Sequence, residues 1–265
     1  MKKLLSISVL LILCLCCFAV PIEYKSFKID GETLYKWVLV TKTNYNSDGK
    51  TTYYQSTYGD EHYYYYSDGL LIRESTDGKS TYYEYDSKGN NIHIKSEDEE
   101  RWFEYNNKGQ KTWYKWTYLN YKGEEKTIEY SYTYNDKGDV LSDGVSTYQY
   151  EYNSRGLITR KIEQSGSIEF EYKYEYDGKD QLIKEAYKSK YSSSVNEYEY
   201  DSVGNLIRRK TSNGDVYEYV RNNSGDVVYF KHMIGKEVEL EYWCEYTYYN
   251  NGKVKEKTTY THFLN

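Results

Sequence analysis

YEYDSVGNLI, Tyr198 to Ile207, carries the reading of this chain. Tyr198 and Tyr200 flank Glu199, and that alternation has the period of a strand with one aromatic and one polar face. Asp201-Ser202-Val203-Gly204 is a turn with a mechanism: Asp caps the backbone ahead of it, and Gly takes the left-handed conformation at the last position. Leu206 and Ile207 then open a return strand. A type I turn followed by a glycine bulge joins the strands through three residues and sets Tyr200 opposite Leu206. A four-residue loop sets it opposite Asn205 instead, and the letters admit both.

The phrase returns ten times. Clear copies are YEYDSKGNNI (Tyr83 to Ile92), YTYNDKGDVL (Tyr132 to Leu141) and YEYNSRGLI (Tyr150 to Ile158). Its anchors are Gly49, Gly69, Gly89, Gly109, Gly138, Gly156, Gly204, Gly225 and Gly252, with Asp180 in the seventh copy. Four residues before most anchors stands a tyrosine, and the ninth copy breaks this with Arg221. Self-similarity at a near-constant period predicts an all-β repeat architecture. The expectation is an antiparallel meander of about twenty short strands forming a curved or spiralling repeat sheet. The repetition also accounts for a composition of 38 Tyr, 18 Gly and 1 Pro in 265 residues.

Glu recurs between the tyrosines before an anchor, as at Glu197 and Glu199, and Lys or Arg after it, as at Arg160, Lys161, Lys184, Arg208, Arg209 and Lys210. Opposite charges on neighbouring strands pair favourably, by roughly 0.2–1 kcal/mol each. One face is therefore expected to be tyrosine and aliphatic, and the other charged. Tyr covers apolar area while its hydroxyl stays hydrated, which suits a thin sheet better than a thick dry core.

Ahead of the repeats, MKKLLSISVLLILCLCCFAV has two lysines, an apolar run and a small-residue end, the layout of a secretory signal peptide over residues 1–20. Residues 21–265 then form a single repeat domain, with an N-terminal cap at 21–40 that includes Trp37 and a C-terminal cap at 258–265. The apolar run is short for a membrane span, and no second one follows. Without Lys2 and Lys3 the balance is 33 basic against 41 acidic side chains, a formal charge of −8, which argues against nucleic acid as a partner. Cys14, Cys16 and Cys17 fall in the signal, where lipid attachment is an alternative to simple cleavage. Only Cys244 remains beyond it, in EYWCEYTYY, and is read as a buried inert thiol. Exported and secreted, cell-surface or periplasmic location is the expectation.

At YEYDSVGNLIRRKTSNGDVYEY the chain resembles the YD repeats of the RHS family, over roughly residues 40 to 255. The resemblance implies a β-sheet spiral, a cell-surface location and a carbohydrate-binding or shell-forming role. The proline-bearing core motif of the large toxin-carrying members has no counterpart, since the sole proline is Pro21. TYYNNGKVKEKTTY (Thr247 to Tyr260) is similar to MORN-variant repeats. Neither family brings catalytic residues of its own.

Chemistry-bearing patterns are sparse. His62, His93, His232 and His262 are scattered, without metal-ligand spacing, so neither metal nor cofactor is expected. Nucleophile-elbow, P-loop and dinucleotide-binding patterns are lacking. Asn44 to Gly49 follows the opening of a calcium loop, but its twelfth position is Gln55 and the repeat turn already explains the letters. The acidic run Glu97 to Glu100 reads as a solvated loop. Trp102, Trp113 and Trp116 are the candidate ligand platform, flat rings that suit the apolar faces of sugars, unless they belong to the core. The sequence thus predicts an exported, non-enzymatic repeat protein. It binds a glycan or an envelope protein, or alternatively serves as a structural component of the envelope.

Overall fold

Period-two patterning and paired Asx–Gly turns leave the backbone one economical solution, a chain of hairpins. The computed structural model describes residues 22–29, 32–56 and 59–262. Within them run 22 strands and no helix, two strands more than the repeat count suggests. Every pairing given between them is antiparallel and most join neighbours in sequence, so the protein is an all-β meander. The predicted signal peptide, with Cys14, Cys16 and Cys17, lies outside the described residues, as do Pro21 and residues 263–265.

The turn register is settled in favour of three residues and a bulge. Tyr200 pairs with Leu206, and the register shifts between Glu199 and Tyr200. Asp201 N–H donates to Asn205 O at 2.9 Å, and Gly204 N–H donates to Asp201 O at 3.2 Å. All nine anchor glycines have positive φ, between 77° and 98°. At Gly69 the turn differs from the expected form: strands Glu61–Ser67 and Leu70–Thr76 leave only Asp68 and Gly69 between them, with φ of 48° and 77°. That is a two-residue turn, whose matching twist requires positive φ at both positions. Asp180 takes a φ of 66° in place of glycine. Two turns of the same hydrogen-bonded form close at Gly59 and Gly123, which the anchor count passed over. Asn120-x-x-Gly123 carries the Asx–Gly chemistry but follows Leu119 rather than a tyrosine.

The described chain divides into two compact units. One holds residues 66–73 and 79–217, the other residues up to 65, 74–78 and 218 onward. In the first, strands Ser146–Tyr152, Ile158–Ser165, Ile168–Tyr176, Leu182–Ser189, Ser193–Tyr200 and Leu206–Thr211 pair consecutively. Directly paired residues share a face of a pleated sheet. Tyr148, Tyr150, Tyr172, Tyr174, Tyr198 and Tyr200 therefore lie on one face, here termed phenolic. Glu151, Arg160, Glu175, Lys184, Glu199 and Arg208 lie on the other. The phenolic face is less purely aromatic than expected, since Lys161 and Glu163 also sit on it, 3.6 Å apart.

In the second unit, strand Val254–His262 pairs with Glu237–Tyr248 on one side and with residues 38–44 on the other. Strand Ile22–Ile29 pairs with the first half of Glu32–Tyr45. Here a dry core forms from Phe27, Val38, Val40, Tyr229, Trp243 and Tyr260, with Phe27 stacked on Trp243 at 4.2 Å between centroids. Trp243 and Tyr260 lie on the face opposite Tyr246, the one charged elsewhere. The N-terminal strand covers that face and is tied down by the ion pair Lys25–Glu245 (2.9 Å), while Lys36 on the next strand pairs with Glu241 (3.1 Å).

Candidate functional site

Each repeat spends its polar side chains on itself and on its neighbour. At the turn, Asp201 Oδ1 accepts the N–H groups of Val203 and Asn205 at 3.0 and 2.8 Å, and its Oδ2 accepts the Asn205 amide at 2.9 Å. The Asn205 amide and those backbone donors hold the Asp201 carboxyl below its ordinary pKa. Asp86 is held down in the same way, by Asn90. Asn46, Asn106, Asn153 and Asn222 repeat the geometry without the charge.

The tyrosines supply the link between repeats. Tyr200 O–H donates to the carbonyl of Leu182, two residues past the preceding anchor, at 2.8 Å. Tyr85, Tyr105, Tyr134 and Tyr176, also four residues before their anchors, reach Leu71, Asn91, Lys111 and Ile158 in the same way, at 2.6–2.9 Å. Where the penultimate tyrosine does the job, Tyr150 reaches Val140 and Tyr246 reaches Val227. Burial raises the phenol pKa of Tyr105, Tyr134, Tyr176 and Tyr200. Turn-to-turn contacts add to this: Gln110 and Gln181 donate to the carbonyls of Gly138 and Gly204, and Arg155 donates to Asp177 O. In the last repeat Tyr249 replaces the Asx residue and donates to Tyr45 O at 2.8 Å. Asn251 and Lys253 likewise donate to Ser47 O and Asp48 O, tying the last turn to the first.

The charged face has a fixed register. The residue five before an anchor pairs with the residue four after it: Glu151–Arg160 at 2.7 Å, Glu175–Lys184 at 3.5 Å and Glu199–Arg208 at 2.9 Å. Glu84–His93 at 3.3 Å follows the same rule. The cross-strand charge pairing read from the sequence thus recurs at this step of the repeat, with further pairs such as Arg160–Glu171 at 2.6 Å elsewhere.

The three tryptophans do not form one platform. Trp102 pairs with Lys115 and Glu104 with Trp113, so Trp102 and Trp113 share the charged face. Trp116 pairs with Arg101 and lies on the opposite, phenolic face. Pleat alternation forbids a single surface for all three. None is fully exposed: Trp102 stacks on His93 at 5.3 Å with Lys115 Nζ 5.2 Å from its ring. Trp116 stacks on Tyr118 at 4.3 Å and donates Nε1–H to Glu99 at 2.9 Å. The Trp37 side chain lies outside the described residues.

The acidic run is drawn into the sheet, since Glu99 and Glu100 begin strand Glu99–Tyr105. Glu100 accepts from His93 and Lys95 at 2.9 and 3.3 Å; burial pushes its carboxyl up, but these partners leave it below its ordinary pKa. Among the described residues no group of three or more His, Cys, Asp or Glu side chains is placed to hold a metal ion. Cys244 is buried, with Sγ 3.8 Å from Thr259 Oγ1. An open cleft of about 400 Å³ lies among the first, ninth and tenth turns, lined by Tyr45, Ser224, Asp226, Tyr246, Val254 and Lys257. Among the described residues no helix is long and apolar enough to cross a membrane.

No family model matches the chain, and no curated protein matches it. Its fold is similar to a chain in the crystal structure of TcdB2-TccC3-Cdc42, with 12% identity and a TM-score of 0.36, over 84% of this chain and 15% of that one. A chain of the Photorhabdus luminescens Tc holotoxin pore gives 13% identity and a TM-score of 0.34, over 83% of this chain and 14% of that one. A porin-like protein from Bacteroides uniformis gives 15% identity and a TM-score of 0.31, over 92% of this chain and 96% of that one. The chain thus spans 15% or less of the two toxin-complex chains.

Proposed function

We propose that the protein is an exported, non-enzymatic repeat scaffold of the YD type that assembles with a partner at the cell envelope. The observation carrying this reading is the commitment of repeat side chains to one another. Turn carboxylates and amides hold their own turns, tyrosine hydroxyls hold the preceding repeat, and the charges of the opposite face pair across strands. Such an arrangement presents a repetitive surface and leaves few groups poised for proton or group transfer. A glycan platform built on all three tryptophans loses its support, because they occupy two faces and Trp102 and Trp116 are already stacked.

In-cell cross-linking followed by fractionation tests the assembly reading. The tagged chain is expected in the envelope fraction as one discrete species with fixed partner stoichiometry. Recovery as a free cytosolic monomer contradicts it, as does turnover of any substrate class in a hydrolase panel.

A further inference from the structure

The cleft among the first, ninth and tenth turns is lined by more cations than anions. Thr43, Lys257 and Tyr246 are consecutive cross-strand partners, so all three side chains project from the phenolic face. Lys257 is half-buried and lines the cleft. Its ammonium is 5.9 Å from the centre of the Tyr246 ring, and among the described residues it makes no ion pair. Other half-buried lysines are paired with carboxylates, as Lys161 with Glu163 and Lys231 with Glu218, or lie near aromatic rings outside this cleft, as Lys111 and Lys115 do.

One carboxylate, Asp226, lines the cleft against two lysines, Lys253 and Lys257, so the lining carries a net positive charge. Asp226 Oδ2 accepts the Tyr248 hydroxyl at 2.8 Å, and its backbone N–H is held by Asn222. The second lysine of the cleft, Lys253, donates to a carbonyl, Asp48 O at 2.9 Å. Burial raises the pKa of both bordering phenols, Tyr45 and Tyr246, so at neutral pH they are uncharged and do not offset the ammonium. Half-buried positive charge in excess of the carboxylate is costly, and an anion entering from solvent offsets that excess. The volume, about 400 Å³, falls within the usual range of small-ligand sites, roughly 300–1,000 Å³. Its lining offers aromatic walls and the Ser224 hydroxyl, with Val254 as the aliphatic member.

We propose that this cleft binds a compact, hydroxylated organic carboxylate, with Lys257 on the carboxylate and Tyr45 and Tyr246 beside its carbon skeleton. A uronic acid has that chemistry. The inference is independent of the assembly role, since it concerns one cleft and not the repeated surface.

Calorimetric titration of the purified protein with glucuronate, glucose and acetate tests it. Glucuronate is expected to bind with one-site stoichiometry, and glucose, which lacks the charge, about tenfold or more weakly. Acetate, which has the charge but no skeleton, is expected to be weaker than glucuronate. Lys257→Met is expected to abolish glucuronate binding, Lys257→Arg to retain it, and Lys255→Met, an exposed neighbour, to leave it unchanged. Melting temperature checks that each variant is folded; should Lys257→Met unfold, glucuronate against glucose on the parent protein and on Lys257→Arg still decides. Absence of glucuronate binding, equal binding of glucose, or undiminished binding by folded Lys257→Met overturns the proposal.

Discussion

The eighth and ninth repeats use one register position in opposite ways. In the eighth, the residues five before and four after the anchor are Glu199 and Arg208, an exposed ion pair at 2.9 Å. In the ninth they are Val220 and Tyr229; Tyr229 belongs to the buried core and Val220 packs against it. The backbone turn is unchanged, with Gly225 closing the same hydrogen-bonded loop as Gly204. Two modes of cohesion thus run on one backbone. The Tyr-rich unit is held by phenol-to-carbonyl bonds and turn contacts. The unit containing both the earliest and the latest strands adds a dry core, made when the N-terminal strand covers Trp243 and Tyr260. Turn chemistry therefore fixes the ribbon, while the side chains at variable steps decide whether a face stays wet or is covered.

The largest test of this contrast is Trp243→Ala. It removes the most buried aromatic of the dry core, 3% exposed, and is expected to cost about 3–5 kcal/mol in urea unfolding. The largest aromatics of the charged face, such as Trp102, are only half-buried, and Trp102→Ala should cost about 1–2 kcal/mol by the same measurement. Equal losses would erase the distinction.

Backbone constraint comes next. A Cβ at Gly144, where φ is 87°, would meet Tyr130 Cβ at 3.0 Å and the Ser131 amide nitrogen at 3.2 Å. At Gly156, where φ is 83°, it would meet nothing within 4 Å. Gly156→Ala therefore isolates the left-handed strain, about 1–2 kcal/mol, and Gly144→Ala is expected to exceed it by about 1–3 kcal/mol from overpacking. Thermal unfolding of the pair separates the two causes.

Alkaline pH sharpens the contrast from the phenolic side. Burial pushes Tyr174 and Tyr198 up to about 12, the latter aided by Glu185. The unfolded chain releases these protons near pH 10 and the folded chain holds them longer. Stability is then full below about pH 10 and falls as pH rises toward 12, because the folded state binds more protons there. Unfolding free energies measured between pH 8 and 11.5 should decline, and less steeply in Tyr174→Phe/Tyr198→Phe. The smallest effect belongs to the exposed ion pairs: Arg208→Met is expected to cost less than about 1 kcal/mol.

Much of this was legible. Asx–x–x–Gly is a chemical requirement of the turn, so the anchors, the antiparallel pairing and the cross-strand charges follow from the letters. Gly59 and Gly123 escaped because the tyrosine, and not the turn chemistry, guided the count. The phenol-to-carbonyl bonds between successive repeats were hidden, because acceptor and donor lie 10 to 23 residues apart and meet only once two hairpins stack. The covering strand 22–29 carries no repeat phrase, so no periodicity could assign its place. The division of the tryptophans was within reach: Trp113 and Trp116 differ by an odd number of positions on one strand, which sets them on opposite faces. The cleft around Lys257 needed the tertiary pairing of the earliest and latest strands.

The repeat-to-repeat phenol bond is tested most directly by urea unfolding of a quadruple Tyr→Phe variant at Tyr105, Tyr134, Tyr176 and Tyr200. The reference is a triple variant at the exposed Tyr82, Tyr121 and Tyr191. A loss of about 4 kcal/mol is expected for the first, near 1 kcal/mol for each bond, and less than about 1 kcal/mol in total for the second. Equal, small losses in both would contradict it.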